Sequence, residues 1–189
     1  LLVTGPVTRN MQEALARNPA LRLVTVYGST EAEPIAEIAS EAITDDDRTA
    51  MRDGAGLLVG SPVPGLRLRL VDDEIHVAGD HVNRGYLDLA DNAGNKIVEG
   101  DTVWHRSGDA GRLDAHGRLW LLGRHGQGVT LANRKTYPFQ IETAARHWSG
   151  VTRAALVAGD PPALVIEGDE TGLPDWQAHA AALGITRLH

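Results

Sequence analysis

Val26-Tyr27-Gly28-Ser29-Thr30-Glu31-Ala32-Glu33-Pro34 decides the reading of this chain. It follows an apolar run, Leu21 to Val26, that reads as a buried strand. The strand then breaks at a small-residue turn that presents a hydroxyl beside a carboxylate. Such a turn places side chains at the carboxyl edge of a sheet, where open α/β sheets bind ligands. Gly28 and Ser29 leave a backbone that a phosphate can approach closely. Thr30 can donate to a phosphate oxygen, Glu31 is a hard oxygen ligand of the kind Mg²⁺ prefers, and Tyr27 offers a flat face to a base. The alternative is a strand, a turn and a solvated acid, and this stretch alone does not decide between them.

The chain has 189 residues, 42% of them apolar, enough for one ordinary domain or two small ones. Its net charge of −7 argues against a general nucleic-acid surface. Cysteine is absent, which excludes disulfides, thiolate catalysis and cysteine-type zinc sites. No apolar run reaches roughly 18 residues, so no membrane span is expected. No signal peptide is visible, and a cytoplasmic protein is the expectation. The eight histidines show no ligand pair at helical metal spacing and read as scattered surface residues.

Leu1–Val3 reads as a strand, residues 9 to 17 as a helix capped by Thr8, and Leu21–Val26 as a second strand. This is a βαβ unit, the end of a parallel-sheet subdomain. Pro34 to Ser40 reads as a short helix and Asp45-Asp46-Asp47 as a solvated loop. From Gly54 the segments are short and punctuated by Gly and Pro: Leu57–Val59, Leu66–Val71, Glu74–Ala78, Thr102–His105 and Leu119–Leu122. They predict antiparallel β structure, a small barrel or a bent sheet. Lys96 falls in a loop on this reading. Beyond residue 124, Glu142–Trp148 reads as a helix, Val151–Val157 and Ala163–Glu167 as strands, and Asp175–Leu183 as a second helix; the hairpin within Val129–Glu142 is implied by the resemblance given next. The fold class is α/β and α+β, multidomain, with the end of the α/β subdomain at residues 1–53; a family resemblance, carried by the residues quoted next, implies the divisions at 54–124 (β-barrel-like subdomain) and 125–189 (small C-terminal domain).

A second stretch, Trp104-His-Arg-Ser-Gly-Asp-Ala-Gly-Arg-Leu-Asp-Ala-His-Gly-Arg-Leu-Trp-Leu-Leu-Gly-Arg124, adds to the first. Asp109, in Ser107-Gly108-Asp109, offers two acceptor oxygens in one plane, a match for paired ribose hydroxyls; a turn with an Asx hydrogen bond is the alternative. Arg124, fifteen residues on, can hold ribose or phosphate, or pair with Asp114 at the surface. Together the two stretches resemble the adenylate-forming enzymes: acyl-CoA synthetases, luciferases and nonribosomal-peptide adenylation domains. In that family a Tyr-Gly-x-Thr-Glu segment meets the nucleotide and its metal, a [Ser/Thr]-Gly-Asp segment holds the ribose, and a Gly-Arg pair ends the large domain. The resemblance therefore implies ATP or AMP binding by Tyr27, Gly28, Ser29, Thr30, Asp109 and Arg124, Mg²⁺ binding by Glu31, and a catalytic part for Thr30 and Glu31. The segments Gly60–Gly65 and Glu74–Gly79, with Gly85 and Tyr86, match family turns and read as scaffold.

The resemblance also implies what this stretch of chain does not carry. The family uses a Ser/Thr/Gly-rich phosphate loop with a Lys, far upstream, and a catalytic Lys near its C-terminus. Neither Lys96 nor Lys135 matches the latter, so the chain is expected to be a C-terminal fragment that lacks full activity by itself. Where the family places a hinge Asp or Lys, this chain has Gly126, and Asn133 replaces a turn Gly. The implied reaction is attack of a carboxylic acid on the α-phosphate of ATP, giving an acyl-adenylate and pyrophosphate. Transfer to coenzyme A or a carrier-protein thiol is the usual second step. A narrower resemblance, in Thr-Glu-Ala-x-Pro-Ile, Trp-His-Arg-x-Gly-Asp and Gly-Arg-Leu-Trp, points to β-lactone synthetases, in which a β-hydroxy acid's own hydroxyl displaces AMP. A fatty acyl-CoA or acyl-AMP ligase stands beside it, and a non-catalytic nucleotide-binding remnant is the third reading.

Overall fold

The computed structural model describes residues 2–4, 17–18, 20–169, 171 and 173–189. They form two compact units: Leu1–Thr44 with Leu58–Trp120, and Asp45–Leu57 with Leu121–His189.

In the first unit, strand β1 (Leu2–Thr4) runs parallel to β2 (Val24–Ser29). The crossover helix expected over 9–17 lies, except for Arg17, outside the described residues. β2 extends further than the apolar run suggests. Tyr27, Gly28 and Ser29 are strand, and the turn is confined to Thr30 and Glu31. The chain then returns as β3 (Ala32–Ala39), antiparallel to β2, and this replaces the helix expected over Pro34–Ser40. The buried residues of β3 are Ala32, Ile35, Ala36 and Ile38. Their spacing imitates a helix because the pairing is irregular: Tyr27 faces Ala36 but Ser29 faces Ala32, a bulge on the β3 side.

β4 (Leu57–Pro62), β5 (Arg67–Val71), β6 (Glu74–Ala78), β7 (Lys96–Glu99), β8 (Thr102–Leu113) and β9 (Leu119–Arg124) complete a nine-stranded sheet. Its order is β1-β2-β3-β4-β9-β8-β6-β5, with β7 also paired to β8. β6 is buried along its whole length, including Glu74 and His76. Lys96, expected in a loop, begins β7 and is buried. His76 and His105 are each only 3% exposed, which corrects the expectation of surface histidines.

The second unit holds helix α1 (Asp45–Arg52), where a solvated loop was expected at the three aspartates. Their carboxylates occupy its first turn, at the positive end of the helix dipole. A hairpin follows, β10 (Val129–Leu131) and β11 (Arg134–Thr136), turning on Ala132 and Asn133, both at positive φ. A short helix, α2 (Asn92–Asn95), belongs to the first unit, and the second continues with α3 (Pro138–Ala145). α3 starts and stops earlier than the helix expected over Glu142–Trp148; Pro138 opens it and Gln140 caps it by accepting the Tyr137 N–H at 3.0 Å. β12 (Val151–Val157), β13 (Ala163–Gly168) and β14 (Arg187–Leu188) form a small sheet beside α4 (Leu173–Ala182). Val129, Leu131, Ile141, Leu156, Leu164 and Ile185 make this unit's core. No helix among the described residues is long and apolar enough to cross a membrane.

Candidate functional site

The two motif stretches sit at two irregularities of one sheet. At the end of β2, Gly28 is required by space: a Cβ there would stand 2.8 Å from the carbonyl oxygen of Ala32. In β8 the pairing with β6 shifts between Glu74↔Ala110 and His76↔Arg106, so a bulge carries Ser107, Gly108 and Asp109. Gly108 has φ 71°, and the Asp109 N–H donates to Ser107 Oγ at 3.1 Å. Ser107-Gly108-Asp109 is therefore a bulge inside a long strand, closed by a local side-chain-to-backbone hydrogen bond. Bulges re-aim side chains, and this one turns Asp109 toward β2.

The result is a direct bond between the motifs. Tyr27 Oη donates to Asp109 Oδ2 at 2.8 Å. Three strands, β3, β4 and β9, separate β2 from β8 in the sheet order. Four steps of about 4.8 Å would hold them some ~19 Å apart in a flat sheet. The Tyr27–Asp109 bond shows that the two strands are not held apart as in a flat sheet. Gly60, at φ 97°, marks one close approach, since a Cβ there would fall 2.0 Å from the Glu37 carbonyl oxygen. Tyr27 is 8% exposed, so most of its ring is packed in the protein.

Thr30 is exposed on the β2–β3 turn. Glu31, beside it, is held from a loop that the sequence had marked as scaffold. Tyr86 Oη donates to Glu31 Oε1 at 2.9 Å, and the Asn83 N–H donates to the Glu31 carbonyl at 2.7 Å. Burial pushes the Glu31 carboxyl up. The hydrogen bond from Tyr86, the local backbone N–H, nearby Ser29 and the charge of His105 outweigh that and hold it below the usual carboxylate range. Ser29 Oγ is buried beside this carboxylate. Among the described residues no group of three or more His, Asp or Glu side chains could hold a metal ion. A lone carboxylate still suits Mg²⁺, which takes one or two protein carboxylates and completes its shell with water and substrate phosphates. Glu31 and Ser29 thus fit a nucleotide-borne Mg²⁺ and do not make a protein cage.

Lys96, Asn83, Tyr86 and His105 were not identified from the sequence. Lys96 Nζ donates to the Asn83 carbonyl at 2.6 Å and stands 5.1 Å from the centroid of the Tyr86 ring. Burial pushes its ammonium below its ordinary pKa, and the charge of Glu31 opposes that shift. His105 is likewise pushed down, first by burial and then by Lys96. A usable signal existed: Lys96 is one of two lysines in a chain whose other cations are all Arg.

Below this site, Glu74 Oε2 accepts from Arg106 Nη2 at 2.8 Å and Nε at 3.0 Å, and lies 3.2 Å from His76 Nε2. This network anchors the strand pair that presents Asp109. Asp114, considered as a partner for Arg124, accepts instead from Arg118 Nε at 2.8 Å and Trp120 Nε1 at 3.1 Å. Arg124 ends β9, exposed, in the second unit. Within the first unit, the structure brings Tyr27 to Asp109 and Glu31 to Tyr86.

No protein-family model matches the chain. It is 33% identical over 195 aligned residues to the olefin β-lactone synthetase of Stenotrophomonas maltophilia, covering 84% of this chain and 35% of that protein. It is 32% identical to the isonitrile lipopeptide synthase of Streptomyces coeruleorubidus, over 73% of this chain and 9% of that protein. The chain therefore spans about a third or less of these relatives' length. Among solved structures, Klebsiella oxytoca NpsA in complex with 3-hydroxyanthranilyl-AMSN superposes with a TM-score of 0.74 at 18% identity, covering 99% of this chain and 43% of that one. That likeness concerns the fold.

Proposed function

Because the chain belongs to the adenylate-forming, AMP-binding enzyme superfamily and matches the C-terminal portion of its members, we propose that it serves as the nucleotide-holding part of a carboxylic-acid-activating enzyme. The observation that carries this reading is the Tyr27–Asp109 hydrogen bond, which brings the two motifs together. Asp109 would accept both ribose hydroxyls, with Tyr27 fixing the orientation of its carboxylate. Thr30 and Ser29 would donate to phosphate oxygens, and Glu31 would hold Mg²⁺. When bound, Mg²⁺ would neutralise phosphate charge as it develops. Arg124 would add a ribose or phosphate contact, with the small domain beginning at residue 125.

In the intact enzyme, a carboxylate oxygen of the substrate would attack the α-phosphorus of ATP. The bond to the bridging oxygen would break, releasing pyrophosphate and leaving an acyl-adenylate. Two olefin β-lactone synthetase relatives, at 33% and 34% identity, favour a β-hydroxy fatty acid whose own hydroxyl then displaces AMP. The peptide synthetase relative favours a second reading, transfer to a thiol of coenzyme A or a carrier protein. The test is the product formed by the intact native polypeptide from ATP, Mg²⁺ and a β-hydroxy fatty acid. β-Lactone without coenzyme A supports the first reading; thioester that requires coenzyme A or a carrier supports the second. Absence of AMP formation with any acid would leave only nucleotide binding without catalysis.

A further inference from the structure

Lys96 is an expensive residue to place where it stands. It is 9% exposed at the head of β7, and a buried ammonium is normally offset by a carboxylate in contact. Among the described residues Lys96 makes no such ion pair. Its Nζ donates to the Asn83 carbonyl at 2.6 Å and faces the ring of Tyr86 at 5.1 Å. Both of those residues grip Glu31: Asn83 through the Glu31 carbonyl at 2.7 Å, and Tyr86 through Oε1 at 2.9 Å. A circuit closes, from the Glu31 backbone to Asn83, to Lys96, to the Tyr86 ring and back to the Glu31 carboxylate. Asn92 Oδ1 steadies it by accepting the Tyr86 N–H at 2.9 Å.

The chemistry of that circuit is directional. A cation on the face of a phenol withdraws electron density from the ring and makes its O–H a stronger donor. The ammonium also lends Glu31 a favourable field without covering either carboxylate oxygen. A direct Lys–Glu pair would occupy the oxygens and cancel the charge a divalent cation needs. The arrangement neutralises at a distance and leaves the carboxylate able to ligate.

We propose that Lys96 and Tyr86 are a positioning pair that fixes the Glu31 carboxylate in the orientation a nucleotide-borne divalent cation requires. This rests on the functional reading above, in which Glu31 holds that cation. Neither residue touches substrate; each acts through Glu31.

The test uses the intact native polypeptide with Mn²⁺ as the probe, its binding read by electron paramagnetic resonance in the presence of ATP. Tyr86→Phe removes only the hydroxyl, Lys96→Met removes the charge and the hydrogen bond to Asn83, and Lys96→Arg keeps the charge. Tyr86→Phe and Lys96→Met are expected to weaken Mn²⁺ binding about tenfold, as loss of an outer-shell partner does. Metal-free ATP binding in EDTA is expected to stay within about twofold of wild type, because Asp109 and its partner Tyr27 are untouched. Lys96→Arg is expected to recover most of the Mn²⁺ affinity, and raising Mn²⁺ should restore pyrophosphate exchange in Tyr86→Phe. Mn²⁺ affinity unchanged in both Tyr86→Phe and Lys96→Met would overturn the positioning pair alone. So would equal losses of Mn²⁺ and metal-free ATP binding, which would mark a merely structural role. Wild-type protein that binds neither ATP nor Mn²⁺ would overturn the functional reading and this proposal with it.

Discussion

Tyr27 spends its hydroxyl on Asp109, and that single contact has a measurable consequence. A hydrogen bond to a charged group contributes about 1.5–3 kcal/mol, so Tyr27→Phe should weaken ATP binding by roughly tenfold or more, read by calorimetric titration of the intact polypeptide. Asp114 gives a prediction of a different kind. Burial raises its carboxyl pKa, but hydrogen bonds from Trp120 and Arg118 and from the backbone of residues 116 and 118 outweigh that and hold it well below the usual range. A depressed folded-state pKa contributes stability above the unfolded value of about 3.9, and that contribution is lost as pH falls below it. Asp114→Asn should therefore lower Tm at pH 7, and the gap to wild type should narrow on acidification below about pH 4, as thermal denaturation across pH would show. At this scale the motifs singled out Asp109 and Glu31, and the fold joins them to Tyr27 and Tyr86. The sequence was illegible at His76 and His105, because polar residues in a strand read as outward-facing, and at Lys96, because its segment read as a loop. Both faces of β6 are covered, so that rule fails for His76.

The elements were read best where pattern and pairing agree. Glu74–Ala78 and Val151–Val157 begin and end as expected. β3 was missed because its bulge sets Ile35 and Ile38 three apart, the spacing of a helix face. α1 was missed because three adjacent aspartates read as a solvated run, although acids at a helix start are stabilising. The bulge geometry predicts that Gly28→Ala lowers stability by about 1–3 kcal/mol, because the new methyl meets the Ala32 carbonyl; denaturant melts would measure it. The β10–β11 turn predicts the opposite sign. Ala132 sits at φ 46° and Asn133 at φ 62°, as a two-residue hairpin of this hand demands. Asparagine tolerates that region, whereas alanine does not. Ala132→Gly should stabilise the second unit by about 0.5–1 kcal/mol, seen as a higher denaturation midpoint.

For the whole molecule, the order of the motifs along the chain carried the family, while the site needed the fold. Nothing in the linear sequence places Tyr27 on Asp109, 82 residues away, or Tyr86 on Glu31, 55 residues away. The fold and two bulges do so. The central claim is that this sheet holds the nucleotide for activation of a carboxylic acid. The most direct test is acid-dependent ATP–pyrophosphate exchange by the intact native polypeptide, wild type against Asp109→Ala. The account predicts exchange that requires a carboxylic acid and falls by two orders of magnitude or so when the ribose acceptor is removed, the loss of roughly 3 kcal/mol expected for a charged hydrogen-bond partner. Exchange that is undiminished in Asp109→Ala, or absent from wild type with every acid supplied, would contradict it.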